Sequence, residues 1–145
     1  MITLAAATAI TKAKVATLQP GFADRVLAWY SDMVGAGVLP YIYEGLRSPE
    51  RQDELYRQGR TSPGKVVTNA RAGQSFHNYG LAFDWVPLIH SPKAADMYDA
   101  DWGGEAAYRT GQRVAVLFKL RFLNWETPHL EDATYKDYHE LAALV

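Results

Sequence analysis

The ten residues Ser75-Phe76-His77-Asn78-Tyr79-Gly80-Leu81-Ala82-Phe83-Asp84 constrain the fold more than any other part of the chain. They set a histidine and an aspartate seven residues apart. On one uninterrupted strand an odd separation sends the two side chains to opposite faces. The two can converge only if the chain bends between them. Asn78-Tyr79-Gly80 supplies that bend, since Asn and Gly tolerate positive φ. Leu81–Val86 then reads as a buried strand, with Asp84 on the same face as Ala82 and Val86.

A second segment, Glu126-Thr127-Pro128-His129, completes a set of chemically useful groups. The two segments offer two imidazoles, a carboxylate fit to bind metal and a carboxylate left over. A catalytic zinc site needs three protein ligands, an open position and a general base. The chain has no cysteine, so any metal must be held by His, Asp or Glu. Small Ala82 leaves room beside such an ion. Glu126 and His129 are not the two ends of a helical motif, because Pro128 keeps Thr127 out of the α region. An extended polyproline-like segment, with three residues per turn, projects both to the same side. The remaining histidines, His90 and His139, read as surface residues. From the residues alone two other readings stay open. One is a metal-free site. The other is the two-His, one-carboxylate centre of iron oxygenases, disfavoured by the seven-residue separation and by the helical content.

At 145 residues and 48% apolar composition, the chain is expected to form one domain with a real core. A net charge of -1 provides no basic field, which argues against nucleic acid as a partner. No apolar run approaches the ~20 residues of a membrane span. The Leu4–Ile10 run is followed rather than preceded by its lysines, Lys12 and Lys14, and so does not read as a signal peptide. Residues 3–18 have helical composition. Pro20–Val34 reads as a helix with Phe22, Val26, Tyr30 and Met33 in one stripe. Val38–Glu44 reads as a strand. Ser48-Pro49-Glu50 starts a helix that runs to about Gln58. Gly59–Gln74 is a long, locally basic loop carrying Arg60, Lys65 and Arg71, with a short strand expected at Lys65–Thr68. Pro87–Asp99 is expected to be a polar surface excursion. Glu105–Lys119 reads as a helix, Arg121–Trp125 as a strand and Tyr135–Leu144 as a closing helix. Without a βαβ rhythm, the fold class is α+β: a short antiparallel sheet packed with helices. Arg47, just ahead of a helix N-terminus, is either solvated or held there to bind an anion.

The pattern Ser75-x-His77-x-x-Gly80-x-Ala82-x-Asp84 followed by Glu126-x-x-His129 resembles the signature of LAS-type zinc peptidases. Within these it resembles the VanY-like D-Ala-D-Ala carboxypeptidases and L-alanyl-D-glutamate peptidases. Gly45-x-Arg47-Ser48-x-Glu50-x-Gln52-x-x-Leu55-Tyr56, Gln58–Thr61 and Pro63–Ala70 are similar to the phage endolysin and cell-wall-hydrolase branch. The resemblance runs from about Pro20 to Glu131. It implies one Zn²⁺ held by His77, Asp84 and His129, with Glu126 as catalytic acid/base. It implies Arg47 as an oxyanion and substrate contact, with Ser75 and Gln52 supporting substrate. The approach to the second motif, Leu120–Trp125, departs from the Gly- and Trp-rich version of many relatives. The implied activity is hydrolysis of the peptidoglycan peptide stem, foremost between L-Ala and D-Glu, alternatively at D-Ala-D-Ala. A zinc-containing wall-binding module without catalysis is a third possibility, against which Glu126 argues. The pattern fills residues 1–145, so a single catalytic domain is expected without a separate wall-binding one. A lysin of this kind would act as a monomer. Lacking a signal peptide, it would stay in the host cytoplasm until a holin gives it access to the wall.

Overall fold

The computed structural model describes all 145 residues. In chain order it contains β1 (Ile2–Thr3), α1 (Leu4–Val15), α2 (Pro20–Gly35), β2 (Leu39–Glu44) and α3 (Pro49–Arg57). A 3-10 turn (Phe76–Tyr79) follows, then β3 (Ala82–Ser91), β4 (Ala94–Ala100), α4 (Glu105–Leu117), β5 (Leu120–Leu123), β6 (Glu126–Asp132) and α5 (Tyr138–Ala142). The expected α+β class, an antiparallel sheet packed with helices, is what forms. No helix is long and apolar enough to cross a membrane.

β3 is the axis of the sheet. β2 runs along one edge of it, from Leu39 opposite Leu88 to Glu44 opposite Asp84. The other edge takes β6 beside its first half, with Asp84 opposite His129, and β4 beside its second half. β5 and β1 complete the outer sides, and every pairing is antiparallel. The β3 residues from Ala82 to Leu88 are all buried, because helices cover one face and the site occupies part of the other.

Helix α2 buries Phe22, Val26, Trp29 and Met33 completely, a 4-3-4 spacing that makes one helical stripe. The structure thus puts Trp29 where Tyr30 was expected; Tyr30 sits half-buried at the margin. Trp29 and Trp85 meet edge to face at 5.1 Å, and Trp85 meets Tyr108 at 5.0 Å. Helix α4 reaches this cluster at Gly111, where any Cβ would overlap the Trp85 ring. The Trp29 indole N–H donates to the Gly111 carbonyl at 3.0 Å. Arg25 ties the far end of α4 to β6: it donates to the Phe118 and Lys119 carbonyls and pairs with Asp132 at 2.7 Å.

Several local expectations fail. Pro87–Asp99 is no surface excursion but most of a β3–β4 hairpin. Its outer residues His90 and Asp96 face solvent, so polarity there marks an exposed sheet edge. Lys65–Thr68 forms no strand; the loop is held by side chains instead. Glu126–His129 is the start of β6 and not a polyproline-like segment. β5 also ends at Leu123, so Asn124-Trp125 form its turn into β6, and α5 is shorter than the expected closing helix.

Candidate metal centre

The bend that the spacing of His77 and Asp84 demanded is a single 3-10 turn. Ser75 caps it, its Oγ accepting from the His77 N–H at 3.2 Å. Asn78 Oδ1 accepts from the Gly73 N–H at 3.0 Å. Gly80 ends it in the left-handed region at φ 68°, where a Cβ would also press on the Gln19 and Thr17 backbone. The chain then enters β3, and His77 is left facing Asp84 across the turn.

His77, Asp84 and His129 are all buried, and one potential ligand atom from each lies within 4.8 Å of the others. His77 Nε2 is 3.1 Å from Asp84 Oδ1, and His129 Nδ1 is 3.3 Å from the same oxygen. Each imidazole turns its other nitrogen outward. His77 Nδ1 donates to the Gly45 carbonyl at 2.8 Å, and His129 Nε2 to Glu131 Oε1 at 2.8 Å. Outward N–H donation leaves the inner nitrogens as lone-pair donors, the arrangement found around bound metals. His129 Nδ1 is buried without a hydrogen-bond partner. A buried polar atom of this kind costs free energy unless something satisfies it. Two nitrogens and one carboxylate oxygen, with no sulfur, suit Zn²⁺ in a three-ligand catalytic site.

These groups act on one another. Burial pushes the His129 imidazolium toward losing its proton, but the nearby carboxylates of Asp84 and Glu131 outweigh it and raise its pKa to about 9. Burial likewise opposes ionisation of Asp84, yet the two imidazoles hold its carboxyl well below the usual carboxylate range.

Glu126 opens β6 at the exposed lip of the same cleft. Its charge is felt by both His129 and Arg47. Arg47 is nearly buried, and its guanidinium is oriented from two sides. Glu44 accepts from Nε at 2.7 Å and from Nη2 at 2.8 Å, while Gln52 Oε1 accepts from Nη1 at 2.9 Å. Nη2 also lies 3.6 Å from Asp84. Of five guanidinium N–H groups, two stay free. Ser75 lines the cleft. Gln52 does not. It is fully buried behind Arg47, donating to the Ala70 carbonyl at 2.8 Å, so it reaches a ligand only through Arg47.

The cleft above the site has a volume of about 1020 Å³. Residues 66–70 form one wall, and 121–125 with 136–138 form the other. The first wall is fastened to α3. The Arg60 and Arg71 guanidinium groups lie over the Tyr56 ring at 3.9 and 4.9 Å, and Arg60 also donates to the Thr68 carbonyl. Two of the loop's three basic residues therefore hold its shape. Reading the sequence missed Glu44 and Glu131. Glu131 grips Arg121 through its Oε2 while its Oε1 holds His129. The available signal was the His129-x-Glu131 spacing, which puts both side chains on one strand face.

Comparison with known proteins gives a consistent result. Residues 15–140 match the family model VanY, D-alanyl-D-alanine carboxypeptidase. The peptidoglycan L-alanyl-D-glutamate endopeptidase CwlK of Bacillus subtilis (strain 168) is 46% identical over 104 residues, 66% of this chain. The match spans 61% of that relative's length. The crystal structure of the Serratia marcescens L-Ala D-Glu endopeptidase ChiX has a similar fold, with a TM-score of 0.55 at 21% identity, covering 86% of each chain. The L,D-carboxypeptidase DacB from Streptococcus pneumonia also has a TM-score of 0.55, at 23% identity, covering 88% of this chain and 72% of that one. With its site residues on the strand, turn and strand that the fold brings together, the chain belongs to the VanY family of D-alanyl-D-alanine carboxypeptidases.

Proposed function

We propose that this protein is a zinc peptidase that hydrolyses the peptide stem of bacterial peptidoglycan, cutting between L-Ala and D-Glu. The convergence of His77 Nε2, Asp84 Oδ1 and the unpartnered His129 Nδ1, with Glu126 at the lip above them, carries this reading. The likeness to the endopeptidase CwlK supports the choice of bond. His77, Asp84 and His129 would hold the ion. A zinc ion held there would supply Lewis-acid activation of a water and of the scissile carbonyl. Glu126 accepts the proton of the attacking water and delivers it to the departing amine. Arg47 directs its free N–H groups at the carbonyl oxygen as negative charge develops there. Glu44 and Gln52 fix the guanidinium so that little reorganisation is needed. Ser75 holds the turn that carries His77 and lies within reach of substrate. A lytic role for a single-domain monomer, released from the host cytoplasm by a holin, is the wider form of this proposal.

Glu126→Gln tests the assignment. It should bind zinc at the stoichiometry of the unaltered protein and lose more than about a hundredfold in turnover. Digested peptidoglycan should show new N-terminal D-Glu by mass spectrometry. Free D-Ala instead would establish the second reading, carboxypeptidase action, which the family description favours. No release at all, or a fully active Glu126→Gln, would refute catalysis at this site.

A further inference from the structure

We propose that the pocket beside Thr127, walled by Trp102 and Tyr108, binds a pyranose ring of the glycan that carries the peptide stem. This rests on the endopeptidase reading above and names the substrate that reading leaves open. The pocket has a volume of about 380 Å³ and is lined also by Glu105, Arg109 and Gln112. That volume lies in the range of small-ligand sites, roughly 300–1,000 Å³.

Three features suit a sugar. Trp102 is 60% exposed, an expensive surface for an indole to show to water. Its ring stands edge to face with Tyr43 at 5.5 Å, which fixes its plane. A pyranose has one face of C–H groups that can cover such a ring. Tyr108 is buried against Trp85, and its hydroxyl has no hydrogen-bond partner. Gln112, Arg109 and Glu105 set planar amide, guanidinium and carboxylate groups around the rim. Groups of this shape bind pairs of neighbouring hydroxyls. Arg109 and Glu105 pair with each other at 3.6 Å and stay largely exposed, free to turn toward a ligand's hydroxyls.

Geometry ties the pocket to the cleavage site. In peptidoglycan the L-Ala amine is joined to the lactyl group of N-acetylmuramic acid. Cleavage between L-Ala and D-Glu therefore leaves one amino acid and one lactyl unit between the scissile carbonyl and the sugar, a span of about 7 Å. Thr127 stands two strand residues before His129 on β6, also about 7 Å. A stem whose carbonyl sits at the His77, Asp84 and His129 site is thus long enough for its sugar to reach Thr127.

The test compares one peptide, L-Ala-D-Glu with its next residue, free and joined to N-acetylmuramic acid. The zinc-loaded protein should cleave the muramyl form with kcat/KM about tenfold higher, mostly through KM, a ratio expected of one aromatic stacking surface. Trp102→Ala should remove that preference and leave the free peptide unchanged within twofold. Equal rates on both substrates, or equal loss on both in Trp102→Ala, would overturn the sugar site while leaving the peptidase intact. Binding of N-acetylmuramyl-L-alanine to Glu126→Gln, followed by ligand-observed NMR, separates the two claims. Binding that is lost in the Glu126→Gln, Trp102→Ala double variant upholds the pocket even if neither peptide is cut. Absence of binding overturns it.

Discussion

Replacing Glu131 by Ala should loosen the metal without touching any ligand atom. Glu131 Oε1 is the acceptor for His129 Nε2–H at 2.8 Å, and both residues are buried. Without the carboxylate, that N–H loses its acceptor and is left beside the Arg121 guanidinium, and a buried unsatisfied donor costs about 1–3 kcal/mol. The imidazole is then free to rotate or to move its proton to Nδ1, the nitrogen that must stay open. Arg121 loses its partner as well, but its side chain is 31% exposed and can turn to water, so the cost falls mainly on His129. Loss of such an outer carboxylate lowers metal affinity by roughly 10–100-fold, equivalent to ~1.4–2.7 kcal/mol. Glu131→Gln keeps an acceptor for the ring and should lose less than about tenfold on the same scale. Competition with a chromophoric chelator measures the zinc affinity of all three proteins. An unchanged affinity in Glu131→Ala, or an equal loss in both variants, would show that Glu131 does not work by orienting His129.

Further outcomes follow from the ionisation of the site and from the packing of α4. The His129 pKa of about 9 in the metal-free protein means that zinc must displace a proton at neutral pH. Apparent affinity should therefore rise about tenfold per pH unit up to about 9 and then level. Because this pKa is raised, its contribution to metal-free stability is full below the unfolded value near ~6.5 and is lost as pH rises through about 9. Asp84, held low, contributes in the opposite sense, its share being lost as pH falls below ~3.9 and through its folded value. Titration calorimetry in buffers of different ionisation enthalpy would contradict this if no proton were released at pH 7. Gly111→Ala drives a methyl into the Trp85 ring, which Trp29 and Tyr108 prevent from moving. It should destabilise by about 1–3 kcal/mol, and a thermal melt coincident with the unaltered protein would show that the helix can shift away.

The convergence of His77, Asp84 and His129 was legible because its logic is local and chemical. An odd separation, an Asn–Gly bend and a chain free of cysteine restrict what His77, Asp84 and His129 can do together. The α+β class followed from the order of apolar patterns. Helix caps such as Ser48, whose Oγ accepts from the Arg51 N–H, are likewise written in neighbouring residues. The misreadings arise where side-chain polarity and backbone pairing part company. His90 and Asp96 look like loop residues because both face solvent, although the backbone around them pairs within one hairpin, His90 opposite Tyr98. Trp29 displaced Tyr30 from the stripe because the α2 face is set by what packs on it, Phe83 and Trp85. Glu44, Gln52, Glu131 and Arg121 lie at varied distances along the chain from the groups they hold. Their roles depend on which side-chain atoms meet, and strand register settles that: Glu44 faces Asp84, and Asp84 faces His129. Composition and spacing were enough to bring His77, Asp84 and His129 forward as candidate metal ligands. Long-range packing chose which nitrogen each histidine offers, because Gly45 and Glu131 take up the other one.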